Sequence, residues 1–145
     1  MIGTDYMKSF LLFVIFSITY SCKKKDQTVN CSLSEASLTG NYTITSVKFK
    51  ASGSSTEEDY FDVLYTPCQK DNILTINRNN TFTNTDAGLT CSPNSTHTGN
   101  WSLNDNIISF GGAPSVIDKF NCTGFTLVVN DFVTGDKITT TWTRQ

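Results

Sequence analysis

Asn72 to Asp86, NILTINRNNTFTNTD, is the stretch that sets the fold. Leu74 and Ile76 alternate with polar neighbours, Asn77 to Asn80 are turn formers, and Thr81 to Asp86 returns as a threonine-rich strand. Apolar alternation with a period of two marks a half-buried strand, and two such runs around a short Asn-rich turn mark a hairpin. The same pattern recurs further along the chain. His97 to Leu103, HTGNWSL, turns at Asn104-Asp105-Asn106 into Ile107 to Gly111 as a second hairpin. Cys122 to Asn130 places Phe125, Leu127 and Val129 on one face, and Asp136 to Arg144 places Ile138, Thr140 and Trp142 on one face, making a third.

N-terminal to this stretch the signals weaken. Asn41 to Lys50 puts Tyr42, Ile44, Ser46 and Lys48 on one face and Thr43, Thr45, Val47 and Phe49 on the other, and neither face is cleanly apolar. Its β-branched and aromatic content favours a strand nonetheless. Ala51 to Thr56 reads as a loop. Thr56 to Tyr65 reads as a short helix or turn, capped by Thr56, with Glu57, Glu58 and Asp59 at the positive end of its dipole and Pro67 ending it. Gly111 to Pro114 is expected to break the sheet, and Ser115 to Phe120 to form a brief turn or edge segment. The resulting expectation is an all-β chain, an antiparallel up-and-down meander of seven to eight strands curled into a small barrel or flattened barrel. Closure of that kind removes unpaired strand edges. The inward candidates are Tyr42, Ile44, Leu74, Ile76, Phe82, Trp101 and Leu103, then Ile108, Phe110, Phe125, Leu127, Val129, Ile138 and Trp142. They suffice for an ordinary packed core, which is the expectation. A ligand cavity would have to be carved from the same set.

The N-terminus gives an address. Lys8 precedes an apolar run from Phe10 to Ile18, followed by Thr19-Tyr20-Ser21, Cys22 and the cluster Lys23-Lys24-Lys25. The run is about half the roughly 20 residues that a membrane-crossing helix needs, so a secretory signal ending at a cysteine is the better reading than a permanent anchor. Residues 1–21 are then a signal peptide, 22–36 a polar tether and 37–145 one domain. Removing the signal leaves 124 residues, enough for one domain. From Asp26 onward the chain carries 7 basic and 12 acidic residues. An acidic domain without a basic stripe is a poor candidate for nucleic acid, whose binding rests on neutralising phosphates. With Cys22 set aside, Cys31, Cys68, Cys91 and Cys122 form an even set in an exported chain, which reads as two disulfides with three possible pairings.

Candidate chemistry is thin, and no cofactor is expected. His97 is the single histidine and has no nucleophile or orienting acid beside it in sequence. No CxxC pair supports zinc. Glu57, Glu58, Asp59 and Asp62 lack the glycine-turned oxygen pattern of a calcium loop. Asn-x-Ser/Thr triplets at Asn41, Asn79, Asn94, Asn100 and Asn121 are discounted, since chance matches are expected in a chain this rich in Asn and Thr.

Several short motifs together resemble a known family. Leu38-Thr39-Gly40-Asn41-Tyr42, then Cys68 followed by Asp71-Asn72-Ile73-Leu74-Thr75-Ile76, then Asn79-Asn80-Thr81-Phe82 and Gly99-Asn100-Trp101 resemble lipocalin-like domains in lipoproteins of Gram-negative, Bacteroidota-type bacteria. Ser21-Cys22 resembles the end of a bacterial lipobox, in which the cysteine is acylated and becomes the first mature residue. Thr19 and Tyr20 depart from the commonest lipobox, and Tyr42 stands where tryptophan is common. The resemblance implies a small lipocalin-like barrel with Cys68 bridged to Cys91 across the hairpin, which leaves Cys31 with Cys122. It implies a membrane anchor through lipid on Cys22, a place in the cell envelope, on the periplasmic side of the outer membrane, and no catalysis. The family usually has no established ligand; a small apolar molecule is the ligand such a barrel would take if its interior were hollow. The alternative is a protein-interaction module, an inhibitor or accessory subunit of an envelope complex, working through loops such as Ala51 to Thr56 and Ala87 to Thr96.

Overall fold

The computed structural model describes residues 31–131 and 134–145. The stretch read as a signal peptide, Cys22 and the three lysines after it lie outside the described residues. A short helix α1 (Glu35–Leu38) leads into β1 (Gly40–Lys50) and the two-residue β2 (Glu58–Asp59). Two more single-turn helices follow, α2 (Phe61–Leu64) and α3 (Pro67–Lys70). The chain then runs through β3 (Ile73–Ile76), β4 (Thr81–Thr85), β5 (His97–Asn104) and β6 (Ile107–Phe110). It ends with β7 (Ala113–Asn121), β8 (Gly124–Asn130) and β9 (Lys137–Arg144).

These nine strands form one antiparallel sheet in the order β2-β1-β3-β4-β5-β6-β7-β8-β9, and an additional β1–β9 pairing closes it. Tyr42 lies opposite Leu74 of β3 on one edge of β1, and Ile44 lies opposite Trp142 of β9 on the other. The closed ring thus has eight strands, with β2 alongside the far half of β1, where Asp59 faces Lys48. The sequence pattern accounts for this ring except where a bulge interrupts the period.

Two bulges matter. The register of β1 against β9 shifts between Ile44 and Ser46, so Tyr42, Ile44 and Val47 are all buried although Val47 is out of phase with the other two. That insertion is why neither face of Asn41 to Lys50 looks apolar. A second shift, between Ile117 and Lys119, hides β7 in the same way: Ile117 pairs with Leu127 and Phe120 with Phe125, three residues apart instead of two. The segment expected to be a brief turn or edge is therefore a nine-residue strand in mid-sheet. Gly111 and Gly112 do not break the sheet. Both have positive φ, +59° and +90°, and they join Phe110 to Ala113 as the two-residue turn that matches the twist of a hairpin.

The segment between β1 and β3 also differs from expectation. Glu58 and Asp59 are drawn into pairing with β1, Asp59 accepts a hydrogen bond from Lys48 Nζ at 2.9 Å, and its other oxygen accepts from Phe61 N at 3.0 Å. The helix therefore starts at Phe61, and Thr56 does not cap it. Pro67 opens α3 at its first position behind Thr66, where proline's missing N–H costs nothing.

The register defines two ends. The turns at 77–80, 104–106 and 122–123 lie at the lower end, and the 51–72 segment, the 86–96 loop and Gly111-Gly112 lie at the mouth. The lower end is solid. Ser34 and Ser37 cap α1 reciprocally, and Leu38 is fully buried beneath Tyr42, Ile76, Trp101, Ile108 and Phe125. The disulfide between Cys31 and Cys122 fixes this plug to the β7–β8 turn. What the sequence read as the far end of a tether is thus folded against the barrel.

Candidate functional site

The upper half of the barrel is hollow. A cavity of about 480 Å3 opens towards the mouth, within the range of small-molecule sites. Ile44, Leu74, Phe82, Phe110, Leu127 and Trp142 form its apolar wall, and Tyr65, Gln69, Asn72, Asn84, Ser95 and His97 form its polar rim. The interior is therefore not the uniformly packed core expected from composition. Tyr42, Ile76, Trp101, Ile108 and Phe125 fill the lower half, with Leu103 half-buried against them, while Phe110 and Trp142 are half-buried because they face the empty half.

The wall is held by ring contacts. Phe82 meets Phe110 edge-on at 5.1 Å, and Phe125 stacks with Trp142 at 6.3 Å. Gly99 lets Phe82 lie flat against β5: a Cβ there would come within 2.7 Å of the ring. Beyond the wall, Val129 is 46% exposed, so the inward row of β8 ends one position earlier than expected. Its partner Ile138 is half-buried at the rim, opposite Phe49, which stacks on Tyr60 at 4.7 Å. These two belong to the collar of the mouth and not to the cavity.

The rim is built from three segments tied together. Cys68 of α3 is disulfide-bonded to Cys91 in the 86–96 loop. Asp71 Oδ2 accepts from Leu89 N at 2.7 Å, and Asp86 accepts from Cys91 N and, at 2.9 Å, from Ser95 N. These bonds bring Ser95 over the start of β3, where Asn72 Nδ2 donates to Ser95 Oγ at 3.0 Å. Asn72 is only 5% exposed, and its Oδ1 has no hydrogen-bond partner. The side-chain oxygen of Gln69, by contrast, accepts from Thr66 N and Oγ1. His97 is exposed at the rim, with Nδ1 3.1 Å from Ser95 O and its ring edge-on to Phe82. Burial holds the Tyr65 phenol above its ordinary pKa, so it stays neutral. No lysine, arginine, aspartate or glutamate is among the described residues lining the cavity.

Three of the four acids between Glu57 and Asp62 are paired with lysines. Glu57 sits 3.7 Å from Lys137, Asp59 pairs with Lys48, and Asp62 pairs with Lys70. No cluster of three or more metal-ligating side chains occurs among the described residues.

Sequence reasoning found the apolar wall but not the polar rim. Asn72 and Asn84 were legible in principle: each continues an inward row by one step of two, Asn72 beyond Leu74 and Asn84 beyond Phe82. Ser95 is brought to the site by the Cys68–Cys91 disulfide and the Asp86 bonds, which no local pattern announces.

A closed eight-stranded antiparallel barrel, plugged below and hollow above, is the architecture of a lipocalin-like β-domain, a fold suited to holding one small ligand. The chain belongs to the lipocalin-like domain family, whose model matches residues 38–129. No curated protein and no solved structure matches the chain. The two disulfides fit an oxidising, non-cytoplasmic compartment, and no helix among the described residues is long and apolar enough to cross a membrane.

Proposed function

We propose that this protein is a non-enzymatic envelope lipoprotein, anchored through acyl chains on Cys22, that holds a small apolar molecule in the upper half of its barrel. The observation that carries the binding half of this reading is the 480 Å3 apolar-walled cavity in a barrel whose other half is packed. A barrel with no ligand to hold would be expected to fill that space, since each large apolar side chain buried adds roughly 1.5–3 kcal/mol. The anchoring half rests on the sequence from Lys8 to Cys22, with 1–21 removed, 22–36 leading away from the membrane and 37–145 forming the domain. The spacer after Cys22 lacks a run of acids, which favours the periplasmic side of the outer membrane over the cell surface.

A protein-interaction module is the second reading. It is favoured by Val63, Leu64 and Leu89, which are 67%, 46% and 59% exposed around the mouth. Native mass spectrometry of the full chain extracted from expressing cells separates the two. A non-covalent mass present natively and lost on denaturation is the expected outcome. A bare chain natively, whatever the host or added lipid extract, would remove the cavity reading and turn attention to the collar.

A further inference from the structure

The two ends of the barrel differ in how they can meet a membrane. The described chain begins at the closed end, where Cys31 is disulfide-bonded to Cys122 in the β7–β8 turn. Cys22, the proposed site of acylation, lies nine residues before Cys31, and nine residues of fully extended chain span about 30 Å at most. β9, eight residues long, runs from the mouth at Lys137 to the closed end at Arg144. At about 3.3 Å per residue and a tilt of about 40°, the mouth stands roughly 20 Å above the closed end before the collar segments are added. To set the mouth on the bilayer, the chain before Cys31 would have to run nearly straight along the barrel wall. That extension costs backbone entropy, and the opposite orientation does not require it.

Charge is divided in the same sense. Segments 48–71, 86–96 and 130–137 surround the mouth, the last tied to the collar by Ser52 N donating to Asp136 Oδ1 at 2.8 Å. They carry eight acidic and four basic residues, and the rest of the described chain carries three of each. Anionic headgroups repel the first set and attract Lys23, Lys24 and Lys25 beside Cys22. Val63 and Leu64 are exposed at the mouth, but Asp62, next to Val63 in sequence, pairs with Lys70, so sinking these side chains into lipid would carry an ion pair with them.

Resting on the anchor proposed above, we infer that the barrel stands with its closed end against the anionic headgroups of the membrane that holds it, and with its mouth turned to the aqueous side. The cavity then opens on water and not on the anchoring bilayer.

The test places the full chain, purified from membranes of expressing cells, in vesicles of phosphatidylethanolamine and phosphatidylglycerol that carry a nitroxide quencher on part of their headgroups. Thr90→Trp marks the mouth and Asn104→Trp the turn at the closed end, each exchanging an exposed polar residue for the same fluorophore. The emission that Asn104→Trp adds to that of the unsubstituted chain should fall when the quencher is present, and the emission that Thr90→Trp adds should not. Thermal melting reports whether each variant is folded, and Ala51→Trp with Asn106→Trp repeats the measurement at the same two ends. Loss for the mouth variants alone sets the mouth on the membrane, and equal loss, or none, at both ends shows a barrel with no preferred end. Either result overturns the inference while leaving the anchor in place. Failure of the unsubstituted chain to float with the vesicles overturns the anchor reading itself.

Discussion

Tyr42 closes the lower end of the barrel at the level of single atoms. It is fully buried, its hydroxyl donates to Leu38 O at 2.8 Å, and it accepts from Arg144 Nη2 at 2.6 Å. The same guanidinium also donates to Ser37 O and lies over the Tyr42 ring, so one side chain joins the helix plug, the first strand and the last. Tyr42→Phe should cost about 1–3 kcal/mol in urea unfolding, because Leu38 O and Arg144 each lose a buried partner. Burial raises the Tyr42 pKa above the usual phenol value of 10.0, the Arg144 charge and hydrogen bond pulling the other way. The unfolded chain therefore loses this proton first. The stability it contributes is complete below pH 10.0 and falls as pH climbs from there towards the folded value. Tyr42→Phe should shallow that alkaline decline, and an unchanged slope would assign the decline to Tyr65, whose pKa burial also raises. At Gly99 the structure predicts a steric effect: Gly99→Ala meets Phe82 at 2.7 Å and should push its ring into the cavity. A loss of about 1–3 kcal/mol and weaker binding of an apolar probe should appear together.

At the scale of elements, the two disulfides hold opposite ends and should fail differently. Cys31–Cys122 closes a span of 91 residues and Cys68–Cys91 one of 23. The entropy of a cross-linked unfolded chain gives about 4.6 and about 3.4 kcal/mol for these spans. Paired Cys31→Ser and Cys122→Ser substitutions should therefore lower the unfolding free energy more than Cys68→Ser with Cys91→Ser. Amide exchange should then distinguish their roles. Loss of the upper bridge should raise exchange in the 86–96 loop and weaken ligand binding while β1, β8 and β9 stay protected. Loss of the lower bridge should expose α1 first. Equal exchange throughout the barrel in both variants would show that the ends are not independent.

For the whole molecule, the proposed function gives location to the anchor and binding to the acidic domain. Cys22→Ala should abolish acylation and move the protein out of the membrane fraction, as two or more acyl chains at about 0.8 kcal/mol per buried methylene hold a protein that one polar tether cannot. Unchanged retention in sedimentation would make Phe10 to Ile18 the anchor instead. The sequence by itself determined the all-β class, because period-two alternation in β3, β4, β8 and β9 leaves strands no other way to bury one face. It determined most of the apolar wall for the same reason. Only the tertiary structure decided which side of β1 and β7 turns inward, since each carries a bulge whose position depends on the partner strand and not on its own residues. Only the tertiary structure, likewise, decided that the barrel is half hollow and that Asn72, Ser95 and Tyr65 share its rim. Ser95 is more than twenty residues from the other two, and a disulfide with two loop-holding aspartates brings its loop to them. Volume left over inside a closed ring belongs to the ring as a whole, and no stretch of the chain encodes it alone.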